Sequence, residues 1–388
     1  MAAVRGVARL LSFSDLNKAL RMIPFVDLQP EYEICREAID GNIRHVLQKQ
    51  QFIGGEMVDA FEREMAAYQN CEEIVSCGNG TDALFITLRA LGIGSGDEVI
   101  TSPCTAMPTA EAITLAGGRV VFADIQPGTY SLDPQRAAEA VTLRTRAIIC
   151  VHLYGIPCDL DGMRQVAKDH GIYLVEDCAQ AQGARWHGQR VGNLGDAACF
   201  SFFPSKPLGA FGDAGAMTAK DAAVRRRQRM FANHGRLTKF SHEIEGTNSR
   251  LDAIQAAVLR PKLALLDSRN ALRQQAAAWY YEELDGVKGV IMPCIPHGAE
   301  AVWHIFPIRV HDRDGLQRHL KASGIESGLH YPLPLHMQPA YAYLRKGAGS
   351  FPEAERAFSE ELSLPMFPAI SREQVKEVCR AVRDFVSF

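Results

Sequence analysis

The segment Tyr173-Leu174-Val175-Glu176-Asp177 is an apolar run that ends in two carboxylates. Between about residues 60 and 220, similar runs alternate with helical patterns, and they include residues 98–101, 119–124 and 147–152. Continuous apolar strands between helices are covered on both faces, which predicts a mostly parallel, doubly wound α/β sheet. Ligands of such sheets bind beyond the carboxyl ends of the strands, and Asp177 stands at such an end.

The run Phe200–Gly209 contains Lys206 in a loop rich in proline and glycine. A lysine amine, the hydroxyl of Ser201 and the carboxylate of Asp177 are the three groups that a pyridoxal phosphate site needs. The amine forms a Schiff base, the hydroxyl holds the phosphate, and the carboxylate keeps the pyridine nitrogen protonated. The alternative is an ordinary surface lysine. We predict Lys206 and Asp177 as catalytic residues and Ser201 as a cofactor-binding residue.

Neighbouring motifs favour the functional interpretation of Lys206, and they lie at residues 177–184, 192–196 and 201–215. Together these motifs resemble the DegT/DnrJ/EryC1/StrS family of pyridoxal-phosphate sugar aminotransferases, and the likeness runs from about Ile23 to the C-terminus. The resemblance implies the type I aspartate-aminotransferase fold, with a mostly parallel seven-stranded sheet between helices and a smaller C-terminal α+β domain. It also implies pyridoxal 5'-phosphate as the cofactor and a homodimer with shared active sites.

The chain has 388 residues and a formal net charge of -3, with 47% hydrophobic and 22% charged residues. This length allows a large core and a second domain. We expect an N-terminal extension at 1–22, a large cofactor-binding domain at 23–265 and a small C-terminal domain at 266–388. A long helical segment, about Arg250 to Leu284, spans the boundary, and an amphipathic helix is expected from about Ser371 to Phe385.

The bulk composition argues against several classes of protein. The small negative charge, without a basic stripe interleaved with aromatic residues, argues against a nucleic-acid partner. The ten cysteines lack metal-ligand spacing, and Cys150, Cys178 and Cys199 lie inside apolar runs. We expect buried, reduced thiols in a cytoplasmic protein and no metal site. No apolar stretch approaches the length of a membrane span.

The segment Cys77–Leu84 contains a glycine turn that opens a helix. Backbone N–H groups and the helix dipole suit a phosphate there, so Gly80 and Thr81 are predicted cofactor-binding residues. An ordinary N-cap is the alternative and is compatible with that role. By resemblance, Gln180 contacts the cofactor ring or its 3-hydroxyl. Met107 is a candidate ring-lining residue, because the segment lacks the aromatic residue that many relatives have.

The segment Gly246–Asp252 contains Asn248 and Arg250. By resemblance this loop enters the neighbouring subunit, where the asparagine meets the cofactor phosphate and the arginine meets the substrate. The alternative for Asn248 is a helix N-cap.

The proline-bounded cluster His330-Tyr331-Pro332 forms a rigid loop that can present polar groups to a ligand. Resemblance places His330 and Tyr331 near a nucleotide-sugar substrate. His336 and Tyr32 are further candidates for substrate binding.

The resemblance implies a two-stage transamination in which L-glutamate donates the amino group, leaves as 2-oxoglutarate, and a keto nucleotide sugar accepts it. The string Leu208–Ala216, together with the Asn-Ser-Arg and His-Tyr-Pro motifs, is most similar to enzymes that make UDP-linked 3-amino sugars for lipopolysaccharide. We expect UDP-2-acetamido-3-keto-glucose or a related UDP-sugar. A dTDP-3-keto-6-deoxyhexose and a 4-keto sugar are alternatives.

Three other functions are weighed against transamination. A dehydrating or deoxygenating branch of the family replaces the lysine by histidine, and Lys206 argues against it. A regulatory protein that binds pyridoxal phosphate without turnover would not need both Lys206 and Asp177. A nicotinamide-dependent dehydrogenase would carry a Gly-x-Gly-x-x-Gly motif after its first strand, which is not found here.

Overall fold

The structure is a computed structural model that describes residues 22–387. The predicted N-terminal extension, residues 1–22, therefore lies outside the described residues except for Met22. The strands of the described part are β1 (Val75–Cys77), β2 (Glu98–Thr101), β3 (Arg119–Phe122), β4 (Thr145–Val151), β5 (Tyr173–Asp177), β6 (Arg185–Trp186), β7 (Gln189–Arg190), β8 (Ala197–Ser201), β9 (Gly215–Ala219), β10 (Arg236–Thr238), β11 (Ser241–His242), β12 (Ala299–Glu300), β13 (Phe306–Arg309) and β14 (Glu361–Leu364).

The helices pack on and around these strands. They are α1 (Gln29–Lys49), α2 (Glu56–Gln69), α3 (Gly80–Ala90), α4 (Met107–Leu115), α5 (Pro134–Glu139), α6 (Leu160–His170), α7 (Ala222–Ala232), α8 (Ala253–Ala264), α9 (Leu266–Leu284), α10 (Arg313–Ala322), α11 (Pro352–Glu360) and α12 (Arg372–Val386). Within residues 22–387, no helix combines the length and the apolar content that crossing a bilayer requires.

Seven strands form the central sheet in the order β1-β9-β8-β5-β4-β2-β3. The pairs from β8 to β3 are parallel, whereas β9 runs antiparallel to both β1 and β8. The strands at the centre, β4 and β5, are buried along most of their length. The structure confirms the predicted mostly parallel sheet of seven strands.

The predicted long helical segment from about Arg250 to Leu284 consists of two helices, because α8 begins at Ala253 and ends at Ala264 and α9 begins at Leu266. Pro261 lies inside α8 and has no N–H to donate to the carbonyl of Ala257. The side chain of Asn42 donates a hydrogen bond to that carbonyl instead, at 3.2 Å. Pro261 therefore weakens the final turns of α8, which ends at Ala264.

The C-terminal part combines the antiparallel pair β13–β14 with α10, α11 and α12. The predicted amphipathic helix is confirmed as α12, which begins with a capping box between Ser371 and Gln374. One buried cluster joins residues of the central sheet, such as Val175, to C-terminal residues such as Phe306 and Val378. Because both parts contribute to this shared core, the domain boundary near residue 265 stays a prediction.

Glu176 and Asp177, adjacent residues at the end of β5, point to opposite faces of the sheet, as successive strand residues do. Glu176 is fully buried and accepts hydrogen bonds from the backbone N–H groups of Gly192, Leu194 and Gly195, each at 2.7 Å. Its carboxylate also lies 3.1 Å from Nε2 of His152. Glu176 thus fixes the loop at 192–195, while Asp177 faces the other side.

We expect Glu176→Ala to lower the free energy of unfolding by about 3–5 kcal/mol, because the change leaves buried donors without an acceptor. Burial alone would raise the pKa of Glu176, but hydrogen bonds from His152, Gly195 and Gly192 outweigh it and lower the pKa below 4.5. A carboxyl group whose pKa is lowered by folding stabilises the fold at pH values above its unfolded-state pKa. This stabilisation is lost as the pH falls through the folded-state pKa.

Urea unfolding of the wild type, Glu176→Ala and Glu176→Gln between pH 3 and pH 7 measures this effect. The wild type should lose its advantage over Glu176→Gln as the solution is acidified. An advantage that does not change with pH would contradict an ionised Glu176.

Candidate active site

A cavity of about 360 Å³ lies beyond the carboxyl ends of β4, β5 and β8. Its walls come from the start of α3, the loop before α4, the ends of the three strands, the Lys206 loop and two C-terminal segments. The lining includes the following predicted residues: Gly80, Thr81, Asp177, Gln180, Ser201, Lys206, His330 and Tyr331. The structure therefore brings together residues that lie far apart in the sequence.

Asp177 closes β5 and is only 4% exposed. One carboxylate oxygen accepts a hydrogen bond from the N–H of Ala179 at 3.1 Å, and the other accepts from the hydroxyl of Thr109 at 2.9 Å. Burial raises the pKa of Asp177, whereas these two hydrogen bonds and the positive charge of Lys206 oppose the rise. A buried carboxylate is unfavourable without a partner of opposite charge, so the cavity is suited to a cationic ligand group.

Lys206 lies in a tight loop between β8 and β9. The loop is closed by hydrogen bonds from the N–H of Lys206 to the carbonyl of Phe203 and from the N–H of Ala210 to the carbonyl of Phe202. Burial lowers the pKa of Lys206 to about 8, and Asp177 opposes this shift. The amine therefore loses its proton more readily than an ordinary lysine, as a nucleophile or a general base requires.

The start of α3 faces the same cavity. Asn79 is the N-cap, and its side chain accepts a hydrogen bond from the N–H of Asp82 at 2.8 Å. The N–H groups of Gly80 and Thr81 have no hydrogen-bond partner within residues 22–387. A Cβ atom on Gly80 would lie 2.6 Å from Cβ of Ser201, so only glycine lets the helix start approach Ser201. These free N–H groups and nearby hydroxyls are suited to an anion.

Gln180 is held from two sides. Its Oε1 accepts a hydrogen bond from the N–H of Tyr154 at 2.6 Å, and its Nε2 lies 3.4 Å from the hydroxyl of Tyr331. Burial raises the pKa of Tyr331 to about 12, so this hydroxyl keeps its proton at neutral pH. Gln180 and Tyr331 therefore present neutral hydrogen-bonding groups at one edge of the cavity.

His330 is fixed by two residues of β14, Glu361 and Ser363. Its Nδ1 lies 3.0 Å from the hydroxyl of Ser363, and its backbone N–H donates to the carboxyl of Glu361 at 2.9 Å. Burial and the charge of Lys206 lower the pKa of His330 to about 4, so its ring is neutral at neutral pH. Burial also raises the pKa of Glu361 to about 7. The structure thus positions the His330 ring without charging it.

Five predicted residues do not line the cavity, and three of them are Met107, His336 and Tyr32. Met107 is the first residue of α4 and packs against the hydrophobic core. Its neighbours Ala106 and Pro108 line the cavity, so Met107 does not line it as predicted. His336 is buried, with Nε2 lying 3.0 Å from Glu355. The hydroxyl of Tyr32 donates to Asp40 at 3.2 Å.

Asn248 and Arg250 lie outside the Lys206 cavity of their own chain. Asn248 forms a bridge with Asn233, and Arg250 lines a separate cleft of about 370 Å³. Ser249, between them, accepts a hydrogen bond from the N–H of Gly78 at 3.0 Å and donates one to Asp82 at 2.6 Å. The loop is thus anchored to the turn before α3, and Asn248 is not the N-cap of α8, which is Asp252.

Thr109 and His304 are among the cavity residues that were not identified from the sequence. Thr109 donates to Asp177 from the first turns of α4, and His304 lines the cavity just before β13. Thr109 carries no motif of its own. The apolar residues around His304 indicated only that this segment belongs to the C-terminal domain. Neither residue is near Lys206 or Asp177 in the sequence, so only the fold shows their place.

The buried side chains of Cys150, His152 and Cys158 come within 4.8 Å of one another, a spacing that could hold a metal ion. However, Nδ1 of His152 accepts a hydrogen bond from the N–H of Cys158 at 3.2 Å, and its Nε2 is paired with Glu176. Both ring nitrogens are therefore engaged within the protein. We interpret this cluster as part of the packed core.

The cavity residues fit pyridoxal 5'-phosphate. The cofactor has an aldehyde, a basic ring nitrogen and a phosphate. The cavity offers an amine of lowered pKa at Lys206, a buried carboxylate at Asp177, and an anion site formed by Gly80, Thr81 and Ser201. Asp177 needs a cationic partner, and the two helix N–H groups need an acceptor.

Comparisons with known proteins agree with this geometry. Residues 33–383 match the model of the DegT/DnrJ/EryC1/StrS aminotransferase family. The dTDP-3-amino-3,4,6-trideoxy-alpha-D-glucose transaminase of Streptomyces venezuelae is 44% identical over 363 residues, covering 94% of this chain and 96% of that protein. The UDP-N-acetyl-3-dehydro-alpha-D-glucosamine 3-aminotransferase of Acidithiobacillus ferrooxidans is 42% identical over 361 residues, covering 93% of this chain and 97% of that protein.

A solved structure shows that the likeness extends to the fold. The X-ray structure of S. venezuelae DesV superposes with a TM-score of 0.93 at 43% sequence identity, covering 95% of this chain and 99% of that chain. The predicted aminotransferase fold is therefore confirmed. The aminotransferases of this family use pyridoxal 5'-phosphate, which agrees with the donor set of the cavity. By sequence, by fold and by the groups in its cavity, this chain belongs to the DegT/DnrJ/EryC1/StrS aminotransferase family.

Proposed function

We propose that this sugar aminotransferase moves an amino group from L-glutamate to the C3 position of a keto nucleotide sugar. The observation that carries the proposal is the meeting of Lys206, Asp177 and the start of α3 in one cavity. A regulatory protein without turnover would not need a lysine of lowered pKa beside a buried carboxylate. Lys206 also argues against the branch of the family that carries histidine at this position.

The chemistry is divided between the cofactor and the protein. When bound, pyridoxal phosphate carries the amino group between the two half-reactions and takes up the electron pair released at the substrate carbon. Lys206 would hold the cofactor covalently at rest, and its amine, once free, would move the proton at the substrate carbon. Its lowered pKa suits this work, since positioned acid–base groups contribute on the order of 10²–10⁴-fold.

Asp177 holds a proton at the ring nitrogen, and this pairing supplies the opposite charge that a buried carboxylate needs. Thr109 and the N–H of Ala179 aim the carboxylate. The N–H groups of Gly80 and Thr81, with the hydroxyls of Thr81 and Ser201, bind the phosphate. Gln180, which the N–H of Tyr154 holds in place, would contact the ring or its 3-hydroxyl.

C3 is the position that the relatives support. The names of the S. venezuelae and A. ferrooxidans relatives both place the nitrogen at C3, although one names a dTDP-sugar and the other a UDP-sugar. Their identities to this chain, 44% and 42%, are too similar to decide between the bases. The motifs after Lys206 favour a UDP-2-acetamido-3-keto sugar, such as those used for lipopolysaccharide. We place His330 and Tyr331 beside the sugar.

We also propose a homodimer in which each cavity is completed by the partner. Arg250 lies outside its own cavity, and exposed apolar residues surround its cleft, including Ile53 at 50% and Leu237 at 41% exposure. Phe203 and Phe211 beside the Lys206 loop are also about half exposed. Apolar residues of this size and exposure are suited to burial against a second copy. The Asn248 amide would then reach the partner's phosphate site.

Lys206→Ala should abolish turnover and remove the visible absorption band of the lysine-bound cofactor, because no other amine lines the cavity within residues 22–387. The temperature of thermal unfolding should change little, since the side chain of Lys206 makes no hydrogen bond within residues 22–387. Lys168→Ala on α6 is the matched control, because Lys168 is exposed and does not line the cavity. Wild-type turnover in Lys206→Ala would contradict the assignment.

A substrate panel tests the acceptor. The cofactor-loaded enzyme is first aminated with L-glutamate and then mixed with 3-keto and 4-keto sugars linked to UDP or dTDP. We expect return of the visible band with 3-keto sugars and fastest return with the UDP-2-acetamido sugar. Faster return with a 4-keto sugar would overturn the C3 proposal, and a preference for dTDP would overturn only the base.

Mixing two inactive variants tests the shared site. If Arg250 acts in the partner's cavity, heterodimers of Lys206→Ala and Arg250→Ala contain one cavity with both defects and one with neither. After random exchange of subunits, activity should rise to about a quarter of the wild-type value, since half the dimers are mixed and each has one intact site. If Arg250 serves its own cavity, both sites of a mixed dimer are damaged and activity stays near zero. Native mass spectrometry verifies the exchange.

A further inference from the structure

A relay of hydrogen bonds connects Glu361 to the ring of His330. Glu361 and Ser363 stand two residues apart in β14, so their side chains leave the strand on the same face. The hydroxyl of Ser363 lies 2.5 Å from Oε1 of Glu361 and 3.0 Å from Nδ1 of His330. The backbone N–H of His330 donates to the other carboxyl oxygen, Oε2, at 2.9 Å. This relay therefore joins a fully buried carboxyl group to a residue of the cavity wall.

The backbone and a neighbouring ring hold His330 in place. Gly328 forms an antiparallel bridge with Ser363, with backbone hydrogen bonds of 3.0 and 2.9 Å in the two directions. A Cβ on Gly328 would lie 2.9 Å from Cε1 of His330, so glycine lets the ring lie against the strand. The ring of Phe25 stacks on the other ring, with centroids 5.5 Å apart. Nε2 of His330 makes no hydrogen bond within residues 22–387 and keeps accessible surface, so a ligand in the cavity can reach it.

The relay has two arrangements of its protons, because the hydroxyl of Ser363 has only one proton to donate. When Glu361 is ionised, Ser363 donates to it and accepts from Nδ1–H of His330, which leaves Nε2 as an acceptor. The backbone N–H at Oε2 is always a donor, so a proton on Glu361 lies on Oε1. Glu361 then donates to Ser363 and Ser363 donates to Nδ1. The single proton of the neutral ring is then on Nε2, which becomes a donor.

Glu361 is placed to gain or lose a proton near neutral pH. Burial raises its pKa to about 7, whereas the hydrogen bonds from Ser363 and His330 and the charge of Arg313 oppose the rise. The guanidinium of Arg313 contacts Glu361 only at its backbone carbonyl, at 3.4 Å. Within residues 22–387, the carboxyl group of Glu361 therefore has no ion pair that would keep it charged at every pH.

Other titratable groups face the relay from several elements. Arg309 on β13 forms its ion pair with Glu360. Lys206 faces the His330 ring and has a pKa of about 8, and its charge helps burial to keep that ring neutral. Shifted pKa values keep the remaining groups uncharged near pH 7, and these are Tyr130, Tyr154, Tyr331, Cys104 and His304. Glu361 is therefore the group of the relay that titrates near pH 7.

We propose that Glu361 and Ser363 are positioning residues that set which tautomer of His330 faces the cavity. A proton that binds Nε2 displaces the proton of Nδ1 to Ser363, and the serine passes its own proton to Oε1 of Glu361. One N–H bond forms and another breaks, Ser363 keeps one O–H bond, and the carboxylate gains the proton. His330 then donates to a carbonyl or phosphate oxygen, whereas with ionised Glu361 it accepts from a hydroxyl or amino group.

Two variants fix or cut the relay. In Glu361→Gln, the amide oxygen accepts from the N–H of His330 and the amide NH₂ donates to Ser363, as the protonated carboxyl group does. Ser363→Ala removes the hydroxyl that links the two ends. Glu360→Gln is the matched control, because this adjacent carboxylate pairs with Arg309 and makes no hydrogen bond to His330 within residues 22–387.

NMR of the cofactor-loaded enzyme, labelled with ¹⁵N-histidine and without substrate, measures the tautomer from pH 6 to pH 9. The signal of His330 is the one that disappears in His330→Gln. In the wild type and in Glu360→Gln, we expect Nε2 to become protonated as the pH falls through about 7. In Glu361→Gln, Nε2 should be protonated throughout the range. In Ser363→Ala, the step near pH 7 should be absent.

The pH profile of the reaction supplies a second readout. In the wild type, KM for the 3-keto nucleotide sugar should change roughly 3- to 10-fold across pH 7, as for one hydrogen bond gained or lost. This change should be absent in Glu361→Gln and Ser363→Ala. The effect of Lys206, which titrates at about 8, should remain in kcat of every variant.

Other NMR results overturn the proposal. A wild-type tautomer that does not change with pH would exclude the relay, and a step that survives in Glu361→Gln would assign the titration to another group. A step that survives in Ser363→Ala would exclude the hydroxyl link, and one lost in Glu360→Gln would indicate a general effect of charge. If Glu361→Gln does not fold, Ser363→Ala still decides. Since NMR needs no substrate, an enzyme that reacts with no sugar would overturn the proposed function alone.

Discussion

The site depends on one buried carboxylate, Asp177, at the carboxyl end of the central strand β5. A charge in this position is stable only with hydrogen bonds and an opposite charge, and the fold supplies Thr109 and Ala179 as donors and Lys206 as the nearby amine. The strand geometry turns its neighbour Glu176 to the other face, where it organises a separate loop. Asp177 thus faces the candidate site on one side of the sheet, and Glu176 stabilises a loop on the other side.

Close backbone contacts seat the start of α3 over the strand ends. A Cβ on Gly215, at the start of β9, would lie 2.3 Å from the carbonyl oxygen of Asn79, and one on Gly80 would clash with Ser201. Gly209 plays a similar part in the Lys206 loop, since a Cβ there would lie 2.2 Å from the carbonyl oxygen of Pro204. These contacts place the anion site and the lysine on rigid parts of the same scaffold, as precise positioning requires.

The sequence predicted the sheet, and it pointed to residues that the structure brings together in one cavity, because both form contiguous motifs. Lys206, Asp177 and Ser201 each lie at a strand end or in a loop that pattern alone can locate. Thr109 and His304 could not be found in this way, since they approach Asp177 and Lys206 only through the fold. Met107 was misplaced because the first turn of α4 directs its side chain into the core. The break at Leu265 was missed although Pro261 was visible.

Pro261 also makes the effect of a substitution at one position depend on the residue at a distant position. The carbonyl of Ala257 accepts a hydrogen bond from Asn42 on α1, and the next residue after the proline, Lys262, donates to the carbonyl of Gly209 in the Lys206 loop. A mutation of Asn42 alone would leave that carbonyl unpaired, whereas a prior change of Pro261 to a residue with an N–H would remove the need for it. The order in which such substitutions arise would therefore decide which of them the active enzyme tolerates.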